Sequence, residues 1–137
     1  MIVLDTNVLS EAMRPDPAKT VAEWMRRNPV STLFTTTITQ AEILYGIQLL
    51  PRGKRRTALL GAWQSLQEEL EPRILPFDTV AAMAFPEIAL ARRIAARPIS
   101  PFDAQIAAIV RANGATLATR NINDFEGCGI AVLNPWE

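Results

Sequence analysis

Short apolar runs alternate with longer segments of helical spacing along almost the whole chain. No other feature constrains the fold as tightly. "IVLD" reads as a buried strand, Ile2 to Leu4, that ends on Asp5. "TNVLSEAMRP" follows as a short helix stopped at Arg14-Pro15, and a second helix is expected from about Pro17 to Arg27. Thr32 to Thr36 is β-rich. Helices are then expected from Thr39 to Pro51 and over "GKRRTALLGAWQSLQEELE", followed by a short strand in "RILPF". Asp78 caps an alanine-rich helix from Thr79 to about Ala95, which Pro86 should kink or split near Phe85. In "SPFDAQIAAIVRANG", Ser100 is the cap, Pro101 the first helical residue and Gly114 the terminator. "ATLAT" and "IAVLN" read as closing strands, with "NINDF" between them as a turn or short helix. This alternation implies a single α/β domain over residues 1–137, with a short, mostly parallel sheet flanked by helices.

Composition narrows the chemistry. The chain has no histidine, which removes His-based acid–base catalysis, Ser-His-Asp triads, Cys-His dyads and His-rich zinc sites. Lys plus Arg equals Asp plus Glu at 14 each, so nucleic-acid or anionic-membrane binding must use a local patch. The single cysteine, Cys128, forms no intramolecular disulfide and suits a reducing cytosol. "MIVLD" meets a carboxylate too early for a signal peptide, and no stretch reaches the roughly 20 apolar residues of a membrane helix. A cytoplasmic protein is expected.

Four acids fall where an open α/β sheet gathers its sites, beyond the carboxyl ends of strands. Asp5 ends the first strand, and Glu42 follows the second by about a helical turn. Asp103 opens the helix before the fourth strand, and Asp124 follows that strand. Three of them have a plainer reading as capping-box acids: Thr39 to Glu42, Ser100 to Asp103 and Asn121 to Asp124. Asp5 has no such partner at Val8. Ionised carboxylates brought together must separate, protonate or share a cation. All-oxygen donors select a hard ion, Mg²⁺ or Mn²⁺, whose usual work is phosphoryl chemistry.

"MIVLDTNVLSE", "TITQAEILYGI", "ISPFDAQIAAIVRANGATLATRNINDF" and the terminal "NPWE" together resemble a PIN-domain ribonuclease. The closer similarity is to VapC-type toxins of toxin–antitoxin pairs, in the FitB-like branch, and "ILPFD" fits that branch too. The resemblance spans the chain. It implies Mg²⁺- or Mn²⁺-dependent RNA hydrolysis, with Asp5, Glu42 and Asp103 matching family acids and Thr6, Asn7 and Thr119 matching supporting polar positions. Some relatives carry Asp directly after "TR", where this chain has Asn121. Asp124 then stands as the fourth acid or as a cap. Water as nucleophile would leave a 5′-phosphate and a 3′-hydroxyl, and the missing histidine argues against attack by the 2′-hydroxyl.

Arg120 beside the acids is a candidate phosphate contact, as is the basic run Arg52, Lys54, Arg55 and Arg56. Arg92, Arg93 and Arg97 suit a helix C-terminus. Trp24 and Trp63 fit core packing. The resemblance also implies a groove for a VapB/FitA-like antitoxin, with Leu44, Leu49, Leu60 and Trp63 as lining candidates, and a homodimer with Ile99, Phe102 and Ile106 as contact candidates. Trp136 is expected to pack on the sheet edge. Two alternatives stand beside this reading: a non-catalytic PIN-like partner-binding module, and a HAD-like phosphatase, which Asn7 disfavours by occupying the position of that chemistry's second acid.

Overall fold

Strand β1 (Ile2–Leu4) lies at the centre of the sheet, between β2 (Leu33–Thr36) and β4 (Thr116–Ala118). The computed structural model describes residues 1–137. β3 (Ile74–Leu75) extends the sheet beyond β2, and β5 (Ala131–Leu133) extends it beyond β4. All four pairings are parallel, with Val3 opposite Phe34 on one side and Leu117 on the other.

Because side chains alternate across a strand, each strand feeds two cores. Val3 and Leu117 pack with Ile106, Ile109 and Phe125 under helices α5 (Thr79–Ile94) and α6 (Pro101–Ala112). Leu4 and Ala118 point to the opposite face. There they meet Val8, Ile43, Ile47 and Trp63 from α1 (Thr6–Ala12), α3 (Thr37–Gln48) and α4 (Lys54–Leu70). Trp24, from α2 (Lys19–Arg27), packs at the margin of this second core.

Three local expectations change. Helix α3 starts two residues early because Thr36, extended at the end of β2, caps it by accepting the Thr39 N–H at 3.0 Å. Thr39 therefore lies inside the helix, and Thr39 to Glu42 is not a capping box. Asn121 likewise makes no side-chain cap for the 3₁₀ turn Ile122–Phe125. Helix α5 runs unbroken through Pro86, with Ala81 and Ile88 buried on either side of it. Packing along its length outweighs the local penalty of the proline. Ser100 caps α6 as expected, accepting the Asp103 N–H at 3.2 Å, and Asp78 caps α5 by accepting that of Ala81 at 3.0 Å. No helix is long and apolar enough to cross a membrane.

Candidate active site

The chain winds from β1 to β2 and β3 on one side of the sheet, then crosses to β4 and β5 on the other. Strand order therefore reverses between β1 and β4, and side chains beyond their carboxyl ends face a natural crevice. Asp5 leaves β1 there and is only 5 % exposed. Its Oδ1 accepts the Thr6 N–H at 2.8 Å at the start of α1, and its Oδ2 accepts the Thr119 hydroxyl at 2.7 Å.

Thr119 is itself fully engaged. Its oxygen accepts from Asn7 Nδ2 at 3.2 Å and from the Asn121 N–H at 3.1 Å. Asn7 Nδ2 also lies 3.4 Å from Asp5 Oδ2, while Asn7 Oδ1 accepts the Arg120 N–H at 3.2 Å. The loop after β4 is thus tied to the loop after β1 through one buried hydroxyl and one amide. On the other side of Asp5, the Thr6 hydroxyl donates to Glu42 Oε1 at 3.0 Å and lies 3.2 Å from the Thr39 hydroxyl.

A cleft of about 670 Å³ opens over these groups, with Asp5, Glu42 and Asp103 in its wall beside Thr6, Asn7, Arg120 and Asn121. Burial raises the pKa of all three acids, Asp5 most closely enclosed. The Thr119 hydroxyl and Thr6 N–H pull Asp5 back down, while Asp124 pushes it up. Glu42 is lowered by the Thr6 hydroxyl but raised by Asp5 and Asp103. Asp103 is raised further by Asp5 and Asp124, against opposing pulls from Ser100 and Arg92. The carboxylates therefore feel one another's charge. In this conformation, however, no three of the chain's acidic side chains draw close enough to grip an ion directly. Charge acts over longer distances than coordination does, so the two facts agree on an open cluster. Such a cluster of oxygen donors fits a hard ion that keeps part of its water shell, as Mg²⁺ does.

Asp124 stands apart from the other three. Its side chain is exposed and lines an adjoining recess that shares Arg120 and Asn121 with the main cleft. Of the basic run, only Arg55 reaches the cleft wall, while Arg52 and Lys54 are exposed and Arg56 half-buried elsewhere. Of the residues expected to line a partner groove, Trp63 is corrected by its burial. Trp63 is 1 % exposed and belongs to the core, and Leu44, Leu49 and Leu60 lie off the cleft. Its apolar end is built instead by Met13, Ile43, Ile47, Leu50 and Leu59. Ile43 and Ile47 serve both the second core and the cleft wall, one helix position away from Leu44. Ile106 is fully buried and unavailable for a contact between copies.

Three participants escape the sequence. Glu11 is buried at the cleft wall, accepting the Ala18 N–H at 3.0 Å and pairing with Arg14 at 3.2 Å. Arg92 is 6 % exposed, which a dipole-complementing arginine need not be. It donates to the carbonyls of Arg97 at 2.6 Å, Asp124 at 2.6 Å and Glu126 at 3.0 Å. Trp136 lines the cleft beneath Arg120. The terminal "NPWE" pointed only to packing on the sheet edge for Trp136, not to a place in the cleft.

A parallel sheet that collects acids at its switch point, under helices on both faces, has the layout of an α/β domain with an acidic cleft. Residues 2–126 match the PIN domain model, and the chain belongs to the PIN-domain family. It is 43 % identical over 141 residues to the plasmid stability protein StbB of Pseudomonas syringae pv. tomato, covering 100 % of this chain and 99 % of that one. It is 36 % identical over 138 residues to the VapC ribonuclease Y4jK of Sinorhizobium fredii, again covering 100 % and 99 %. Among solved structures, FitAcB from Neisseria gonorrhoeae superposes with a TM-score of 0.93 at 36 % identity, covering 100 % of this chain and 99 % of that chain. Within the family, the chain therefore falls among the VapC and FitB relatives.

Proposed function

We propose that the chain is a divalent-metal-dependent endoribonuclease acting as the toxin of a type II toxin–antitoxin pair. The observation that carries this reading is the meeting of Asp5, Glu42 and Asp103 in one cleft, although they lie far apart in sequence. The relative named as a VapC ribonuclease and the complex of a FitB relative support the class.

Asp5 and Asp103 would hold Mg²⁺ or Mn²⁺, with Glu42 and Asp124 completing the acidic set. The bound ion would acidify water and offset charge on a phosphodiester. The Thr119 hydroxyl and Thr6 N–H keep Asp5 oriented as an acceptor, and Asn7 fixes the loop that carries Arg120. Glu42, half-buried with its pKa raised, is suited to take a proton from water at Oε2 while Oε1 stays on Thr6. Arg120, Asn121 and Arg55 would contact RNA phosphates or orient water at the cleft wall. Purified protein is expected to cut single-stranded RNA in Mg²⁺ or Mn²⁺, leaving 5′-phosphates, and to stop in EDTA. Full cleavage in EDTA would overturn the metal-dependent mechanism.

The partners follow the same reading. The apolar end of the cleft, Met13 to Leu59, would take an amphipathic antitoxin segment. For the homodimer, exposed Val80, Met83, Leu90 and Ile94 form a stripe along α5 at alternating three- and four-residue spacing once Glu87 is counted. Phe102 lies exposed at the start of α6, which packs beside α5. Met83 and Leu90 are 70 % and 58 % exposed. Replacing both with glutamate is expected to convert a dimer to a folded monomer in light scattering. An unchanged mass would move the interface elsewhere.

A further inference from the structure

We infer that Trp136 and Arg120 form a nucleobase-stacking subsite beside the acidic cluster, taking an unstacked base of single-stranded RNA next to the cleaved phosphate. This rests on the ribonuclease reading for its substrate class but not for its geometry. The Arg120 guanidinium carbon lies 5.0 Å from the centroid of the Trp136 ring. Both side chains line the cleft that holds Asp5, Glu42 and Asp103. Arg120 is exposed and pairs with no carboxylate, so its charge is free for a ligand. Trp136 is half-buried, with its inner side against the second core and the rest of the ring at the cleft.

Each backbone is pinned. The Arg120 N–H is held by Asn7, the same amide that contacts Asp5 and Thr119. The Trp136 N–H is held by Asn134 Oδ1 at 2.9 Å, immediately after β5. The stacking surface therefore sits at a fixed offset from the acids. Trp136 also lies outside the stretch matched by the family model, which ends at residue 126.

The chemistry selects a nucleotide over a bare phosphate. An arginine alone would serve a phosphate oxygen equally well from any exposed position. A cation lying over an indole adds a flat, polarisable surface of the kind on which RNA-binding proteins stack splayed bases. With RNA bound, the base covers the Arg120–Trp136 surface while its own phosphate faces the acids.

The test uses a short single-stranded RNA carrying 2-aminopurine, read in EDTA so that binding is separated from cleavage. Binding is expected to quench the 2-aminopurine emission. Trp136→Leu is expected to abolish the quench and weaken binding about tenfold, with Trp136→Phe restoring most of both. An RNA of the same length with an abasic site should bind the parent and the leucine variant equally. Trp136→Leu gives up some packing against the second core, so every variant is read well below its melting temperature, and the abasic comparison separates lost stacking from lost packing. An unchanged quench in Trp136→Leu would overturn the subsite, as would equal weakening for intact and abasic RNA or equal affinity for inorganic polyphosphate. The ribonuclease reading fails separately, if RNA binds with the quench but is never cut in Mg²⁺ or Mn²⁺.

Discussion

Asp5→Asn is expected to lower RNA cleavage about a thousandfold, the rate equivalent of losing several kcal/mol of transition-state stabilisation. The substitution preserves volume but reverses the polarity of one terminal atom. Thr119 has one proton, given to Asp5, and its oxygen already accepts from Asn7 and Asn121. An amide NH₂ at position 5 would face a hydroxyl with no acceptor capacity left. Turned the other way, it would face the Thr6 N–H, donor against donor. Asparagine therefore loses the ligand charge and also disturbs the network that aims it. Asp103→Asn, on a half-buried helix start, loses charge without that second injury. Isothermal calorimetry with Mn²⁺ should show binding abolished for Asp5→Asn and weakened for Asp103→Asn, each alongside RNA cleavage rates. Thr119→Val tests the network with the charge left in place, and a loss of about 10- to 100-fold is expected. Asp5→Asn cleaving within a few-fold of the parent would remove Asp5 from the mechanism.

The second large effect concerns stability. Arg92→Met should destabilise the protein by about 3 kcal/mol, since methionine fills the space but takes the buried donor away from three backbone carbonyls. Arg92 binds three backbone carbonyls and lies 3.9 Å from Cys128 Sγ, fastening α5 to the segment from Asp124 to Cys128. At roughly 3 to 5 °C per kcal/mol for a chain of this size, the melting temperature should fall by about 10 °C. Hydrogen exchange should report loosening first around Asp124 and Glu126. Arg97, whose ion pair with Glu126 is exposed, serves as the control: Arg97→Met should leave the melting temperature close to that of the parent. Equal effects at the two positions would show that burial of Arg92 confers nothing special.

The strand–helix alternation made the sheet and its parallel sense legible because each apolar period has a single structural solution. Asp5 and Asp103 were legible for a related reason: each stands at a boundary where period changes, so its place in the fold follows from its neighbours. The start of α3 was not. Thr36 and Thr39 are both competent caps, and the choice turns on how far β2 stays extended, which depends on pairing with β1 and β3. Pro86 misled because its cost is local whereas the packing of α5 on α6 is tertiary. Arg92 was read from its helix position alone, yet its partners come from a turn more than thirty residues away. Cleft lining by Ile43, Ile47 and Leu59 instead of Leu44 and Leu60 reflects a single-position difference in helix facing, finer than periodicity resolves.

The hydroxyl that fixes Asp5 arrives 114 residues after it, just beyond a strand that flanks the sheet's innermost member. A translating ribosome therefore completes the first acid's loop, then nearly everything else, before the proposed activity has its full set of parts. Any product cut short ahead of Thr116 lacks both the anchor for Asp5 and the β4 edge against which β1 must close. Fragments from interrupted synthesis are expected to lack the proposed activity, which an RNA-cleavage assay on a chain truncated ahead of Thr116 would check.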